Sequence, residues 1–127
     1  MIASGLVANG VRVYITARNA EACNAAAAEL SQHGECISFP ADLSTEEGVA
    51  SFVSSLTERE DQLDILVNNA GAAWGADLGE FPEIGFDKVL DLNVKAPFML
   101  TQALLPHLKA GATAEDPARV ILIGSID

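Results

Sequence analysis

Four polar positions that could bind a ligand follow short apolar runs of the sequence. Arg18 follows the run at 11–16, Asp42 follows 36–39, Asn69 follows 63–67 and Ser125 follows 119–123. If these runs are parallel strands, their carboxyl ends meet at one edge of a sheet, where ligands bind in folds of this type. The sequence therefore predicts a binding crevice built from the residues that follow the strands.

Two of these positions have both a binding and a structural interpretation. A guanidinium at Arg18 suits the 2′-phosphate of NADP, whereas a fold that prefers NAD places an acid there. Arg18 could equally be an exposed arginine near the start of a helix, and its spacing does not decide between these. Asp42 could accept a hydrogen bond from an adenine amino group, but the residue alone favours ordering of the loop before Ser44.

The other two strand ends are also open to two interpretations. The small residues of Asn69-Ala70-Gly71 let the backbone approach a flat ligand, but they could form an ordinary turn. The Ser125 hydroxyl could hydrogen-bond a substrate carbonyl, although serine is also a common turn former. No GxSxG elbow surrounds Ser125, so a hydrolase triad is not expected.

Asn93 is a polar residue on the apolar stripe expected for a long helix. A buried amide there needs hydrogen-bond partners. Pro97 has no N–H, so the carbonyl of Asn93 loses its usual helical donor and a kink is expected. Asn93 either is satisfied locally or helps hold a water molecule at the crevice, and spacing alone favours the local role.

Apolar runs of strand type alternate with helical stretches along the chain. This alternation predicts one α/β domain over residues 1–127 with a doubly wound, Rossmann-like parallel sheet. A capping box at Ser44-Thr45-Glu46-Glu47 is expected to open the third helix. The predicted helices are 1–8, 19–33, 44–60 and 84–109, the strands are 11–16, 36–39, 63–67 and 119–123, and 71–82 is a loop. The stripe of the last helix would comprise Phe86, Val89, Leu90, Leu100 and Leu104.

Composition excludes several classes of function. Seven basic and eighteen acidic residues give a net charge of −11, which disfavours nucleic acid and anionic membranes as partners. No apolar run is long enough to span a membrane and no signal peptide is evident. Two cysteines without CxxC spacing favour a reduced, cytoplasmic protein, and no metal site is expected.

Five motifs together resemble the short-chain dehydrogenase/reductase family. They are TAR at 16–18, ADL at 41–43, LDILVNNAG at 63–71, DLNVKAPF at 91–98 and RVILIGS at 119–125, and their order and spacing match along essentially the whole chain. WGADLGEFP at 74–82 and EDPARVILIGS at 115–125 are similar to NADPH-dependent 3-oxoacyl-[acyl-carrier-protein] reductases of the rhamnolipid-associated type.

The resemblance implies a role for each motif residue. It makes Asn93 and Ser125 catalytic positions, the first holding a water of a proton relay and the second orienting the substrate carbonyl. It implies that NADP(H) is bound by Arg18, Asn19, Asp42, Leu43, Asn69, Ala70 and Gly71. The implied reaction is hydride transfer from NADPH to the carbonyl of a small molecule, such as an acyl thioester, in a longer protein that forms a homo-oligomer.

Two parts of the family pattern have no counterpart in this sequence. The family's Tyr-x-x-x-Lys pair lies beyond the serine, and the only tyrosine, Tyr14, has no lysine four residues later. The glycine-rich turn and its preceding strand would lie before Met1. The chain is therefore expected to be an internal fragment that is inactive alone. The alternative is a non-catalytic nucleotide-binding or interaction module, and a methyltransferase or flavodoxin-like protein is disfavoured.

The strand missing from the pattern is central in the family's sheet order, 3-2-1-4-5-6-7. The strands present would then flank an empty slot and stand about 10 Å apart. Because unpaired backbone groups in such a slot are costly, the chain must close the gap, recruit another strand or remain partly unfolded. We therefore expect marginal stability or aggregation of the isolated chain.

Overall fold

The computed structural model describes residues 1–125, and its helices and strands alternate as predicted. The elements are α1 (Ile2–Ala8), β1 (Val13–Ile15), α2 (Ala20–Leu30), β2 (Cys36–Ser38), α3 (Glu46–Thr57), β3 (Ile65–Asn68), α4 (Glu83–Leu90), a π-helical segment (Asp91–Lys95), α5 (Ala96–Gly111) and β4 (Arg119–Leu122). The first two strands are shorter than predicted, since the regular ladder that joins them covers three residues of each.

The described strands form two separate parallel sheets of two strands each. β1 pairs with β2, with Tyr14 opposite Ile37, and β3 pairs with β4, with Leu66 opposite Val120. β1 and β3 are thus the inner strands on either side of a gap, as the predicted empty slot requires. The gap has remained open rather than closing by direct pairing of β1 with β3.

A charged cluster shows that the strands begin at one edge. Arg12, just before β1, lies 2.7 Å from Glu35, just before β2, and 2.8 Å from Glu60, which precedes β3. The Tyr14 hydroxyl donates a 2.6 Å hydrogen bond to the same Glu60 carboxylate. The chain therefore enters β1, β2 and β3 from the same side, and all four strand ends lie at the opposite edge.

The apolar residues form a separate core on each face of the strands. On one face, α3 and α5 pack against each other and against β3. This core contains Phe52 and Leu56 of α3, Leu66 of β3, and Leu100 and Leu104 of α5. On the other face, Val7 of α1 and Ala27 of α2 pack against Val13 and Cys36. Both faces of β1 are thus covered by helices, as in a parallel sheet of the α/β class.

The long helix predicted for 84–109 is interrupted by the π-helical segment. An extra residue in this segment rotates the preceding turns relative to α5. The predicted stripe is therefore wrong at Phe86 and Leu90, which are 56% and 42% exposed. The buried face repeats every four residues instead, at Leu92, Ala96, Leu100, Leu104 and Leu108. Asn93 lies beside this face and is exposed, contrary to its predicted place on the stripe.

The cap of α3 also differs from the prediction. Thr45 is the N-cap, and its hydroxyl accepts a hydrogen bond from the Gly48 amide at 3.0 Å. The Ser44 hydroxyl instead donates to Asp42. The capping box predicted from Ser44 is therefore wrong, because the carboxylate of Asp42 competes for that hydroxyl.

No helix within residues 1–125 is both long enough and apolar enough to cross a membrane.

Candidate functional site

The site begins at the ends of β1 and β2, where Arg18 and Asp42 lie near each other. Arg18 is exposed three residues beyond β1. The Asp42 carboxylate accepts hydrogen bonds from the Ser44 hydroxyl at 2.7 Å and the Ser44 amide at 3.0 Å. These bonds, the hydroxyl first, lower the pKa of Asp42, and the charge of Arg18 contributes to the same shift. The structure thus gives Asp42 the loop-ordering role and leaves the Arg18 guanidinium accessible.

Asn19 and Leu43 flank this pair, but their side chains have structural roles. The Asn19 Oδ1 accepts the Ala22 amide at 2.9 Å and caps α2. Leu43 is buried in the core that contains α3 and α5. Any contact of Leu43 with a ligand would therefore be made by its backbone, because its side chain points into the protein.

Gly48 fixes the shape of the Asp42 loop and was missed by sequence reasoning. A Cβ atom at Gly48 would overlap the carbonyl oxygen of Asp42, so a side chain there would displace this loop. That carbonyl also accepts hydrogen bonds from the Thr45 amide and hydroxyl. The signal available in the sequence was a glycine three residues after a helix-capping threonine.

The segment after β3 passes from the buried interior to the exposed edge. Asn68 is 8% exposed, and its amide nitrogen lies 3.4 Å from the Thr101 hydroxyl of α5. Asn69, Ala70 and Gly71 are exposed directly after it. The buried Asn68 therefore anchors the segment to α5 while the next three residues remain open to a ligand.

Asn93 ties the π-helical segment to this same stretch of chain. Its Oδ1 accepts the Ala72 amide at 2.7 Å, and its Nδ2 donates to the Ala72 carbonyl at 2.9 Å. Both partners lie 21 residues away in the segment after β3, so the side chain is satisfied by another element and not locally within its own helix, as spacing favoured. This paired bond also fixes the backbone that follows Gly71, so Asn93 shapes the edge of the site through its side chain.

The loop between β3 and α4 is held by its tryptophan. The ring of Trp74 lies so close to Gly85 that a Cβ atom there would be 2.7 Å from the ring carbons. The Lys88 ammonium lies 5.3 Å from the centre of the ring, a cation–π arrangement. Trp74 is the only tryptophan of the chain, and its glycine and lysine partners were not predicted from the sequence.

Ser125 follows β4 on the strand next to β3. The Ile123 amide donates to the Asn68 carbonyl at 3.0 Å, which holds the end of β4 beside the segment at Asn69. Ser125 is exposed two residues later. The structure thus brings together the β1 and β2 ends at Arg18 and Asp42, and the β3 and β4 ends at Asn69 and Ser125.

Tyr14 lies away from this edge. Its ring stacks on Phe39 with ring centres 5.4 Å apart, and its hydroxyl donates to Glu60. Burial, together with that hydrogen bond, raises the pKa of Tyr14 to about 12. Within residues 1–125, no group of three or more His, Cys, Asp or Glu side chains could hold a metal ion.

Comparisons with known proteins identify the family pattern at this site. The family model for short chain dehydrogenases matches residues 1–127. Over 126 residues the chain is 52% identical to the rhamnolipids biosynthesis 3-oxoacyl-[acyl-carrier-protein] reductase of Pseudomonas aeruginosa, covering 99% of this chain and 49% of that protein. The chain spans about half the length of the curated relatives it matches.

Solved structures of short-chain dehydrogenases match the fold of this chain along almost its whole length. The Pseudomonas aeruginosa RhlG/NADP active-site complex has a TM-score of 0.93 and 52% identity, covering 98% of this chain and 48% of that one. A metagenomic short-chain oxidoreductase in complex with NADP has a TM-score of 0.87 and 33% identity, covering 99% of this chain and 56% of that one. These matches confirm the predicted Rossmann-like fold, of which this chain contains a part.

Proposed function

The chain belongs to the short-chain dehydrogenase family, and from that premise we propose that it is a portion of an NADP-dependent oxidoreductase that reduces a carbonyl to an alcohol. The observation that carries the proposal is the accessible Arg18 beside Asp42 at the ends of β1 and β2. Relatives that match along the chain include an NADP complex and a 3-oxoacyl reductase. We therefore assign a 3-oxoacyl thioester as the substrate class.

The residues present fit the nucleotide end of NADP. The exposed Arg18 guanidinium would hold the 2′-phosphate through paired charge-assisted hydrogen bonds. One carboxylate oxygen of Asp42 accepts both hydrogen bonds from Ser44. A carboxylate can accept further hydrogen bonds, so Asp42 could also accept one from an adenine amino group. Asn19 and Leu43 would border the adenosine, the second through its backbone. Asn69, Ala70 and Gly71 would lie beside the ribose, where small residues allow close approach.

The residues of the catalytic end orient the substrate and hold water. When bound, NADPH supplies the hydride that reduces the carbonyl carbon. Ser125 would donate a hydrogen bond to the carbonyl oxygen and so fix its position. The Asn93 carbonyl, deprived of the Pro97 donor, would hold a water of the proton relay, while the Asn93 side chain keeps the Ala72 backbone in place. Tyr14 does not serve as the acid, because its hydroxyl is bound to Glu60.

Isothermal titration of the 127-residue chain with NADP⁺ and with NAD⁺ tests the cofactor assignment. We expect NADP⁺ to bind at least about tenfold more tightly, the effect of charge-assisted hydrogen bonds to one phosphate. Equal affinities, or a preference for NAD⁺, would refute the assignment. We also expect no oxidation of NADPH with an acetoacetyl thioester by this chain alone, and turnover would contradict the assignment of an incomplete active site.

A second candidate is a nucleotide-binding module without catalysis. Two observations favour this candidate: the hydroxyl of the only tyrosine, Tyr14, donates a hydrogen bond to Glu60, and Arg18 is exposed. The affinity for NADP⁺ separates the two candidates. A micromolar Kd for the chain alone would favour the module, whereas a portion of an enzyme that lacks a phosphate-binding glycine turn should bind only in the millimolar range.

We place the protein in the cytoplasm, since Cys23 and Cys36 are buried free thiols, and burial raises the pKa of both. We also propose that the longer protein is a homo-oligomer. Three large apolar side chains are exposed in this part of the chain: Phe86 of α4, Val94 of the π-helical segment and Phe98 of α5. Their exposure supports an apolar contact between subunits.

A further inference from the structure

The end of helix α1 carries the only Asn-Gly pair of the sequence, Asn9-Gly10, and both residues are exposed. The chain has five further asparagines, and none of them is followed by glycine. An asparagine can lose its side-chain amide when the backbone nitrogen of the next residue attacks it. A following glycine favours this reaction because it has no side chain to obstruct the attack.

The pair lies in a Schellman turn that requires the glycine. The Gly10 amide donates to the Val7 carbonyl at 3.0 Å and the Val11 amide donates to the Leu6 carbonyl at 3.1 Å, which are the two bonds of this motif. Gly10 has a φ of 80°, in the left-handed region that favours glycine. Val11 and Leu6 pack against the core that contains Val7, the apolar contact that accompanies such a turn. The fold therefore needs glycine at the position that also makes Asn9 reactive.

The same turn keeps the two reacting groups occupied. The Gly10 nitrogen is the attacking atom, and its N–H is bound to the Val7 carbonyl. The target is the side-chain amide of Asn9, whose Nδ2 donates to the Gly5 carbonyl at 2.8 Å and so lies back along the helix. The reaction therefore requires both bonds to open. Because Gly5, Asn9 and Gly10 are all exposed at the end of a short helix, we expect the turn to open locally.

We propose that Asn9-Gly10 is a self-modification site, at which opening of the last turn of α1 leads to a permanent negative charge. In the open turn, the Gly10 nitrogen loses its proton and forms a bond to the Asn9 Cγ, which closes a succinimide ring. The bond between Cγ and Nδ2 breaks, and ammonia leaves with the proton. A water molecule then adds to one of the ring carbonyls, and the ring opens to aspartate or isoaspartate.

The product cannot restore the turn. A carboxylate lacks the donor that binds the Gly5 carbonyl, and its charge lies at the C-terminus of a helix, where the carbonyl groups already carry partial negative charge. Val7 of the same turn is 1% exposed, and a Cβ atom at Gly34 would lie 2.8 Å from its side chain. Loosening of this turn would therefore disturb the core between α1, α2 and the first sheet. This site is independent of the proposed cofactor site.

Incubation of the 127-residue chain in mildly alkaline buffer, with and without urea, tests the site. Peptide mapping by mass spectrometry, together with methylation by a protein-isoaspartate methyltransferase, measures the product. We expect isoaspartate at residue 9, formed at least about tenfold more slowly in the folded chain than in urea. Equal rates in the two conditions, or no preference for residue 9 in urea, would overturn the proposal. The internal controls are the other asparagines, Asn19, Asn24, Asn68, Asn69 and Asn93.

Gly10→Ala separates the chemistry from the opening of the turn. Alanine is strained at a φ of 80°, although its Cβ atom would meet no atom of residues 1–125 within 4 Å, so the turn should open more often. The methyl group nevertheless obstructs the attack. We therefore expect the product to form at least about tenfold more slowly than in the unaltered chain in urea. An unchanged rate in urea would refute attack by the Gly10 nitrogen.

Val11→Ser tests the opening of the turn without changing the reacting pair. It removes the apolar contact of Val11 with the core, so the product should form at least about threefold faster in the folded chain and at an unchanged rate in urea. Val94→Ser, at an exposed valine far along the chain, should change neither rate. Circular dichroism checks folding, and Val11→Ala replaces Val11→Ser if the latter does not fold. An unchanged rate in the folded Val11 variant would contradict the proposal.

Asn9→Asp and Asn9→Ala test the effect of the product. Both variants lose the donor to the Gly5 carbonyl, but only the first adds a charge. Hydrogen exchange of the Gly10 and Val11 amides should be at least about threefold faster in Asn9→Asp than in Asn9→Ala, and high salt should reduce the difference. Equal exchange in the two variants would contradict the effect of the charge on the turn.

Discussion

At the scale of single residues, the same side chain often serves the fold and the candidate site together. Asp42 orders its loop through a hydrogen bond with Ser44, and it lies close enough to Arg18 for that positive charge to help lower the pKa of Asp42. Asn93 bonds the Ala72 backbone on both its donor and acceptor sides. These residues position the edge of the site even without a ligand, because their partners belong to the chain itself.

Arg18→Ala should weaken binding of NADP⁺ about tenfold or more and leave binding of NAD⁺ unchanged. The reason is that only NADP⁺ carries the 2′-phosphate that the guanidinium would hold. Arg59→Ala is the matched control, since Arg59 packs over Phe39, 5.7 Å from its ring centre. Calorimetric titration measures both variants, and an equal loss for the two nucleotides would contradict the role of Arg18.

Tyr14 should titrate in the folded chain with a pKa of about 12 instead of its ordinary 10.0. A raised pKa means that the folded state holds the proton more tightly than the unfolded state. The stability this provides is complete below pH 10 and is lost as pH rises from about 10 to about 12. Since Tyr14 is the only tyrosine, phenolate absorbance measures it directly.

Tyr14→Phe is the control for this alkaline loss. It should lower the free energy of unfolding by about 1–2 kcal/mol at neutral pH, because Glu60 loses a donor. The variant should then show less dependence of stability on pH above 10. A phenolate that titrates near 10 in the folded chain would contradict this prediction.

At the scale of elements, the connection from β3 to α5 decides the shape of the site. The π-helical segment rotates α4 relative to α5 and carries Asn93 out of the buried stripe to Ala72. Farther along the loop, Trp74 rests on Gly85 and Lys88 of α4. The loop is therefore fastened near its start to the helices that follow it, although it has little regular structure of its own.

Gly85→Ala should detach Trp74 from α4. The added methyl group would lie 2.7 Å from the ring, so the ring must move, at a cost of about 1–3 kcal/mol. The intrinsic fluorescence should shift to longer wavelength as the ring becomes more exposed, and Trp74 is the only tryptophan that contributes. Gly79→Ala, in the same loop but with open space around it, should leave the spectrum unchanged. An unchanged spectrum for Gly85→Ala would refute this packing.

At the scale of the whole molecule, the two small sheets are joined by packing and charge rather than by backbone pairing. Helices α3 and α5 pack against each other, and Arg12 connects the starts of β1, β2 and β3. Among residues 1–125, β1 and β3 have no strand partner on the side that faces the slot between the sheets, and a buried polar group without a partner is costly.

The isolated chain should therefore unfold in a broad thermal transition or aggregate on heating. The open slot removes the continuous sheet that would make unfolding cooperative. Differential scanning calorimetry of purified monomer measures the width of the transition. A sharp, cooperative transition of the monomer would contradict this prediction.

Much of the fold followed from local patterns in the sequence. The alternation of helices and strands, the Asn19 cap and the gap between two pairs of strands were all predicted, the gap from the family's strand order. Apolar periodicity and capping depend on neighbours within a few residues, so they can be read from one sequence. The positions of Arg18, Asp42, Asn69 and Ser125 after their strands followed from the same patterns.

Only the tertiary structure decided what these residues touch. Four features depend on how separate elements pack against each other. They are the π-helical segment, the exposure of Asn93, the close approach of Gly48 to Asp42 and the packing of Trp74 on Gly85. Pro97 predicted a kink near Asn93, but the sequence did not show that this irregularity is a π-helical segment with an extra residue, which changes the helical register. The sequence by itself thus determined which elements form and which polar residues follow them, whereas packing between distant segments decided their partners.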